Sequence, residues 1–120
     1  MSENILIADD SVNMRVILKD ILHRSGYTVV GEAGDGAEAV SMFDKLVPDA
    51  ALIDLAMPKM DGLEALKAIK SAHADAKVVM ICALGQQELV IDALRAGASD
   101  FIIKPFQAER VLEALKKTLK

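Results

Sequence analysis

Short apolar segments alternate with amphipathic ones along the whole chain. The apolar segments have the length of single strands and lack the polar alternation of half-exposed strands. Such nearly continuous apolar runs are typical of strands that are covered on both faces of a parallel sheet. The predicted strands are Ile5–Ala8, Thr28–Glu32, Ala50–Asp54, Val78–Cys82 and Phe101–Ile103.

The segments that follow these runs carry apolar residues at helical spacing, and several end at a glycine or a proline. The apolar positions are Met14, Ile17, Leu18 and Ile21 in the first helix, Ala39, Val40 and Phe43 in the second, Leu63, Leu66 and Ile69 in the third, Val90, Ala93 and Leu94 in the fourth, and Val111, Leu112, Leu115 and Leu119 in the fifth. A strand followed by a helix, repeated five times, predicts an α/β fold with a parallel sheet and helices on both faces.

Composition narrows the class of protein. The 120 residues predict one domain over residues 1–120, and a net charge of −4 argues against nucleic-acid binding. The single cysteine excludes an internal disulfide and suits a reducing compartment. No apolar stretch approaches the roughly 20 residues of a membrane span, and the first residues lack the basic start of a signal peptide. We therefore expect a soluble cytoplasmic protein without membrane contact.

Charged residues stand where three of the predicted strands end. Asp9 and Asp10 follow the first strand, Asp54 ends the third, and Lys104 follows the fifth. Cys82 ends the fourth strand. In doubly wound sheets, ligands bind beyond the carboxyl ends of the strands, so we expect these side chains to converge at one edge.

The chemistry of this group favours a metal site over helix capping alone. An aspartate at a strand–helix junction often caps the helix, but Ser11 and Asp61 are better placed to cap the first and third helices. Carboxylate oxygens suit Mg²⁺, which commonly holds a phosphoryl group as well. Asp54 could then act as a nucleophile toward phosphorus, and Lys104 could neutralise phosphoryl oxygens.

With these motifs, the whole chain resembles the receiver domains of two-component response regulators. The resemblance rests on the acidic pair Asp9–Asp10, on DLAMPKMDG at Asp54–Gly62 and on KPF at Lys104–Phe106. It implies a doubly wound, flavodoxin-like (βα)5 fold whose five-stranded parallel sheet has the strand order 2-1-3-4-5. Residues 83–115 are especially similar to single-domain chemotaxis regulators of Gram-positive and thermophilic bacteria.

The resemblance implies roles for the residues at the sheet edge. Asp54 would accept a phosphoryl group from a histidine kinase of the chemotaxis type. Asp10, Asp54 and the backbone carbonyl of Ala56 would ligate Mg²⁺, and Asp9 would act mainly through bound water. Lys104 would contact the phosphoryl group.

The resemblance also implies a conformational switch. Phe101 matches the aromatic residue that turns inward on activation, and the Lys104–Pro105 peptide is expected to be cis. The family has threonine or serine at the end of strand four, where the hydroxyl reaches a phosphoryl oxygen, but this chain has Cys82. A thiol is a weak hydrogen-bond donor, so phosphoryl acceptance should survive while the switch is weakened.

These observations predict a phosphorylation-activated signalling switch and leave two alternatives. The expected partners are the kinase and a downstream protein such as the flagellar motor switch. The chain is expected to be a monomer whose only chemistry is its own phosphorylation and dephosphorylation. Cys82 keeps open an isolated or degenerate receiver module of another response regulator. An aspartate-based, Mg²⁺-dependent phosphohydrolase is disfavoured because Ala56 stands where that class has a second acid.

Overall fold

Strands and helices alternate strictly along the chain in a computed structural model that describes residues 2–120. Met1, the first residue of the predicted domain, lies outside the described residues. The elements are β1 (Asn4–Ala8), α1 (Val12–Arg24), β2 (Thr28–Ala33), α2 (Gly36–Leu46), β3 (Ala50–Asp54), α3 (Gly62–Ala72), β4 (Val78–Ala83), α4 (Gln87–Arg95), β5 (Asp100–Lys104) and α5 (Ala108–Thr118). The five predicted strands and the five predicted helices are all present among residues 2–120.

The strands form one parallel sheet with the order β2-β1-β3-β4-β5. This confirms the predicted doubly wound, flavodoxin-like fold. Because the strands are parallel, the carboxyl ends of β1, β3, β4 and β5 open on the same edge of the sheet. The strand order reverses at β1 and β3, and in folds of this class that reversal creates a crevice for ligands.

Two apolar layers cover the faces of the sheet. One face packs against α2, α3 and α4 through buried residues that include Phe43, Leu66 and Val90. The other packs against α1 and α5 through residues that include Leu18 and Leu115. The strand residues between these layers are buried on both sides, which explains why they read as unbroken apolar runs. Among residues 2–120, no helix combines the length and the apolar character that crossing a membrane requires.

The buried faces of two helices differ from the predicted pattern. Ile17 is 48% exposed and Leu94 is 43% exposed, whereas Leu22 is fully buried. In α1, Leu18 and Leu22 are separated by four residues and face the sheet together. Ile17 lies one position earlier, about 100° around the helix axis, and therefore points away from the sheet.

Three helices begin with a side-chain cap. The Ser11 hydroxyl accepts a hydrogen bond from the Met14 amide at 3.2 Å, as predicted for α1. Asp61 accepts from the Glu64 amide at 2.8 Å, and the Glu64 carboxylate accepts in return from the Asp61 amide at 3.4 Å, which completes a capping box at α3. Asp35 caps α2, a role that the sequence reasoning missed.

The close approach of α3 to the end of β3 requires a glycine. A Cβ atom at Gly62 would lie 2.1 Å from the carbonyl oxygen of Asp54, a distance that no side chain tolerates. The Gly62 amide donates to the Leu55 carbonyl at 2.8 Å. The first turn of α3 therefore lies directly against the backbone of Asp54 and fixes its position at the sheet edge.

Candidate functional site

Three acidic residues meet at the carboxyl edge of the sheet. Asp9 and Asp10 follow β1, and Asp54 is the last residue of β3. Each offers one carboxylate oxygen, and these three oxygens lie within 4.8 Å of one another. Asp9 and Asp54 are buried, with 0% and 4% of their surface exposed, whereas Asp10 is exposed. The structure thus brings together the acids that the sequence places at separate strand ends.

Lys104 supplies the cation that these acids need. Its Nζ lies 3.2 Å from Asp9 Oδ2 and 3.4 Å from Asp54 Oδ2. A buried carboxylate without a partner carries a large desolvation cost, and a charged hydrogen bond offsets part of it. The lysine lies between the two buried acids and bonds to both of them.

Backbone contacts fix the orientation of Asp9. Its Oδ1 accepts from the Ser11 amide at 2.9 Å, and its own amide donates to the Ala33 carbonyl at 3.0 Å. The guanidinium of Arg15 donates to the Asp9 carbonyl and also bonds to Glu32 Oε1 at 3.2 Å. Sequence reasoning missed Arg15, because only the pairing of β1 with β2 brings Glu32 beside this loop.

Burial and repulsion from Asp9 make the Asp54 carboxyl group harder to ionise. Burial, followed by the charge of Asp9, raises the pKa of the Asp54 carboxyl from 3.8 to about 6, although Lys104 acts in the opposite direction. Burial lowers the pKa of Lys104, but the attraction of Asp54 and Asp9 outweighs it, and the net pKa is raised. At pH 7 the Asp54 carboxylate is therefore mainly ionised and the lysine is charged.

The donor set fits a hard divalent cation. Three carboxylates against one ammonium leave excess negative charge, and carboxylate oxygens are the ligands that Mg²⁺ takes in proteins. Ala56, whose carbonyl is the further predicted ligand, is exposed in the loop between β3 and α3.

The predicted switch residues lie on the neighbouring strands β4 and β5, of which β5 is at the edge of the sheet. Cys82 in β4 is buried, and its Sγ is 3.6 Å from the Ile102 carbonyl oxygen of β5. Burial, with a further contribution from the Asp54 charge, raises the pKa of the thiol. Phe101 in β5 is half-buried and packs against the same apolar layer as Cys82. The Lys104–Pro105 peptide is cis, as expected.

A (βα)5 sheet with an acid cluster and a lysine at its carboxyl edge defines the class of signal-receiving domains. The response regulator receiver domain family matches residues 5–116, and the chain belongs to this family. It is accordingly a phosphorylation-activated switch of a two-component system.

Known proteins resemble the chain over nearly its full length. The chemotaxis protein CheY of Bacillus subtilis is 54% identical over 119 residues, which cover 99% of each chain. The chemotaxis protein CheY of Thermotoga maritima is 48% identical over 120 residues and 100% of each chain. CheY in the CheX–CheY–BeF3–Mg²⁺ complex of Borrelia burgdorferi superimposes with a TM-score of 0.94 at 38% identity, covering 98% of this chain and 90% of that one.

The raised pKa of Asp54 predicts an unusual pH dependence of stability. Between pH 3.8 and about 6 the folded state binds more protons than the unfolded state, so stability falls as pH rises through this window. We expect Asp54→Asn to be more stable than the wild type by about 1–3 kcal/mol at pH 8. Below pH 4 the difference should vanish. Urea unfolding of both proteins in metal-free buffer, at pH 8 and below pH 4, measures this difference in the free energy of unfolding.

The matched control for this measurement is Asp92→Asn, which removes an exposed carboxylate from α4. It should change the free energy of unfolding by less than about 0.5 kcal/mol at either pH. If the two variants gained the same free energy of unfolding at pH 8, the cause would be general charge reduction and not the environment of Asp54.

Proposed function

We propose that the chain is a chemotaxis response regulator that accepts a phosphoryl group on Asp54 from a histidine kinase. The observation that carries the proposal is the position of the Asp54 carboxylate, buried and 3.4 Å from Lys104 within an acid cluster. The similarity to chemotaxis proteins over the whole chain supports the pathway. Residues 1–120 act as one receiver domain, and the signal passes to a protein partner such as the flagellar motor switch.

Asp54 acts as the nucleophile in this proposal. One carboxylate oxygen bonds to phosphorus, and the bond between phosphorus and the donor's histidine nitrogen breaks. Ionisation is required for the attack, and with a pKa of about 6 most Asp54 carboxylates are ionised at pH 7 or above. Lys104 is held by Asp9 on the same edge, where its ammonium can bind a phosphoryl oxygen.

Mg²⁺ would be held by Asp10, Asp54 and the carbonyl of Ala56, with Asp9 contributing through water. When bound, the ion supplies positive charge that offsets the phosphoryl oxygens. Asp10 is the exposed member of the acid cluster, so its carboxylate can bind a metal that arrives from solvent.

Phosphorylation changes the charge of the site and thereby the conformation. An aspartyl phosphate adds roughly −1.5 to −2 of charge if it resembles other phosphoryl modifications. Lys104 is attracted toward the new group, and a two-state surface near Phe101 responds. The protein works as a monomer, and its own phosphorylation and dephosphorylation are its only chemistry.

Mass measurement tests the identity of the acceptor. Incubation with acetyl phosphate and Mg²⁺ should add one phosphoryl mass to the wild type and none to Asp54→Asn, because the amide is not an anionic nucleophile. Asp92→Asn, which removes an exposed acid, should gain the mass normally. A phosphoryl mass on Asp54→Asn would place the acceptor at another residue.

Metal binding is tested by thermal unfolding. Mg²⁺ at ten times its Kd should stabilise the folded wild type by ~1.4 kcal/mol, which raises Tm by several degrees. Asp10→Ala should have a higher Tm than the wild type without metal, because repulsion from Asp9 is removed, and should lose the response to Mg²⁺. Magnesium-free scans at equal ionic strength, with NaCl replacing MgCl2, provide the control. A wild-type Tm that ignores millimolar Mg²⁺ would contradict the site.

Cys82 is expected to weaken the switch. The thiol is buried beside the Ile102 carbonyl and is a poor donor toward a phosphoryl oxygen. Hydrogen bonds to charged groups contribute about 1.5–3 kcal/mol, which is comparable to typical coupling energies of roughly 1–3 kcal/mol. Cys82→Thr should therefore increase the phosphorylation-dependent change at Phe101 while the unphosphorylated protein changes little.

The affinity for a chemotaxis target, measured for both proteins with and without acetyl phosphate, decides this prediction. Phosphorylation should tighten binding by a larger factor in Cys82→Thr than in the wild type. Cys82→Ser, which also carries a hydroxyl but lacks the methyl group, separates the donor from the shape of the side chain. If phosphorylation increased the target affinity by the same factor in the wild type, Cys82→Thr and Cys82→Ser, the thiol would not limit the switch.

A further inference from the structure

An ion pair joins the start of β5 to the first turn of α5, away from the acid cluster. Arg110 Nη2 lies 3.2 Å from Asp100 Oδ1 and donates to the carbonyl oxygen of Phe101 at 2.7 Å. Asp100 Oδ1 also accepts from the Phe101 amide at 2.8 Å. Both backbone polar groups of Phe101 are thus bonded by side chains of the Asp100–Arg110 pair.

Within the helix, Arg110 has an ion pair with Glu113, whose Oε1 lies 3.5 Å from Nη1, but that carboxylate is exposed and such surface pairs contribute little. Arg110 lies in the first turn of α5, where the positive end of the helix dipole disfavours a cation. Gln107, the residue at the N-cap, makes no side-chain cap bond within the described part of the chain. The carboxylate of Asp100 is mostly buried and compensates for the unfavourable placement of the guanidinium. The contacts with β5 are shorter and more buried than the one with Glu113, and they are therefore the stronger contacts of Arg110.

The Asp100–Arg110 pair also covers the edge of the sheet. β5 is the last strand in the sheet order, and an edge strand presents peptide groups that its neighbour does not bond. The pair satisfies those groups at Phe101 and ties the backbone there to α5. The Phe101 side chain packs with Cys82 in the apolar layer between the sheet and helices α2, α3 and α4. Its ring is therefore not part of the contact between β5 and α5.

Charged contacts hold both ends of β5. At the carboxyl end, Lys104 bonds to Asp9 and Asp54. At the amino end, four residues earlier and about 13 Å away, Asp100 bonds to Arg110. Because an extended strand is close to its maximum length, a displacement of the Lys104 backbone along the strand axis must also displace Asp100 or bend the strand.

We propose that the Asp100–Arg110 pair is a positioning pair that couples β5 to α5. When the charge at Asp54 changes and Lys104 moves, the pair transmits the movement of β5 to the first turn of α5. Arg110 lies outside the phosphoryl site, so it acts on the response and not on the chemistry. This inference rests on the proposed function, because it needs phosphorylation at Asp54.

The experiment compares Arg110→Met with Lys116→Met, which removes the same charge from an exposed position on the same helix. Backbone NMR spectra are recorded before and after addition of acetyl phosphate and Mg²⁺, and intact mass follows phosphorylation. Arg110→Met should gain the phosphoryl group within twofold of the wild-type rate and keep the shift changes at Asp10 and Ala56. Its shift changes along Val111–Leu115 should shrink at least threefold. Lys116→Met should match the wild type throughout.

Amide exchange in the unphosphorylated protein tests the pair itself. Loss of Arg110 frees the Asp100 carboxylate, so the Phe101 amide should exchange at least tenfold faster in Arg110→Met and at the wild-type rate in Lys116→Met. Asp100→Asn keeps an acceptor for the Phe101 amide but removes the ion pair. It should therefore show the reduced α5 response with a smaller change in exchange, and it replaces Arg110→Met if that variant does not fold.

Equal shift changes along α5 in Arg110→Met and Lys116→Met would overturn the inference. So would a loss of phosphoryl acceptance in Arg110→Met, because a positioning pair leaves the chemistry intact. A wild type that gains no phosphoryl mass would overturn the proposed function, and this result is separate from the exchange measurement, which needs no phosphoryl group.

Discussion

The contacts of Lys104 with Asp9 and Asp54 are the interaction on which the site depends. The charges of two buried carboxylates close together repel each other, and burial of a charge without a partner costs several kcal/mol. The lysine reduces this cost without cancelling it, since the pKa of Asp54 stays at about 6. The folded site therefore retains excess negative charge. In the proposed function, that charge would favour binding of a divalent cation and would make the site respond to an added phosphoryl group.

The acids remain free for this role because other residues cap the helices. Ser11 caps α1, Asp35 caps α2 and Asp61 caps α3, each through a bond to an amide of the first turn. Asp9 accepts from the Ser11 amide but keeps its second oxygen on Lys104. The strand ends thus carry two sets of polar residues, one that terminates helices and one that faces the ligand crevice.

The sequence predicts the fold and the convergence of the acid cluster because both follow from local rules. Apolar runs mark strands, and parallel strands share an edge. What it could not predict depends on which elements become neighbours. The exposure of Ile17 follows from which side of α1 meets the sheet, and the contact of Arg15 with Glu32 follows from the pairing of β1 with β2. Arg110 reads in sequence as an ordinary helix residue, and only its distance to Asp100 gives it a role.

Side chains from both neighbours bond to consecutive carbonyls of β5, with unequal strength. The Cys82 thiol of β4 bonds to the Ile102 carbonyl at 3.6 Å, and the Arg110 guanidinium of α5 bonds to the Phe101 carbonyl at 2.7 Å. A thiol is a weak donor, whereas a charged donor forms a hydrogen bond roughly twice as strong as a neutral one. Of these two side-chain bonds, the one from Cys82 is therefore the weaker. The thiol adds little to the backbone ladder that already joins β5 to β4, whereas the guanidinium gives β5 a charged bond to α5, a helix with which it shares no ladder.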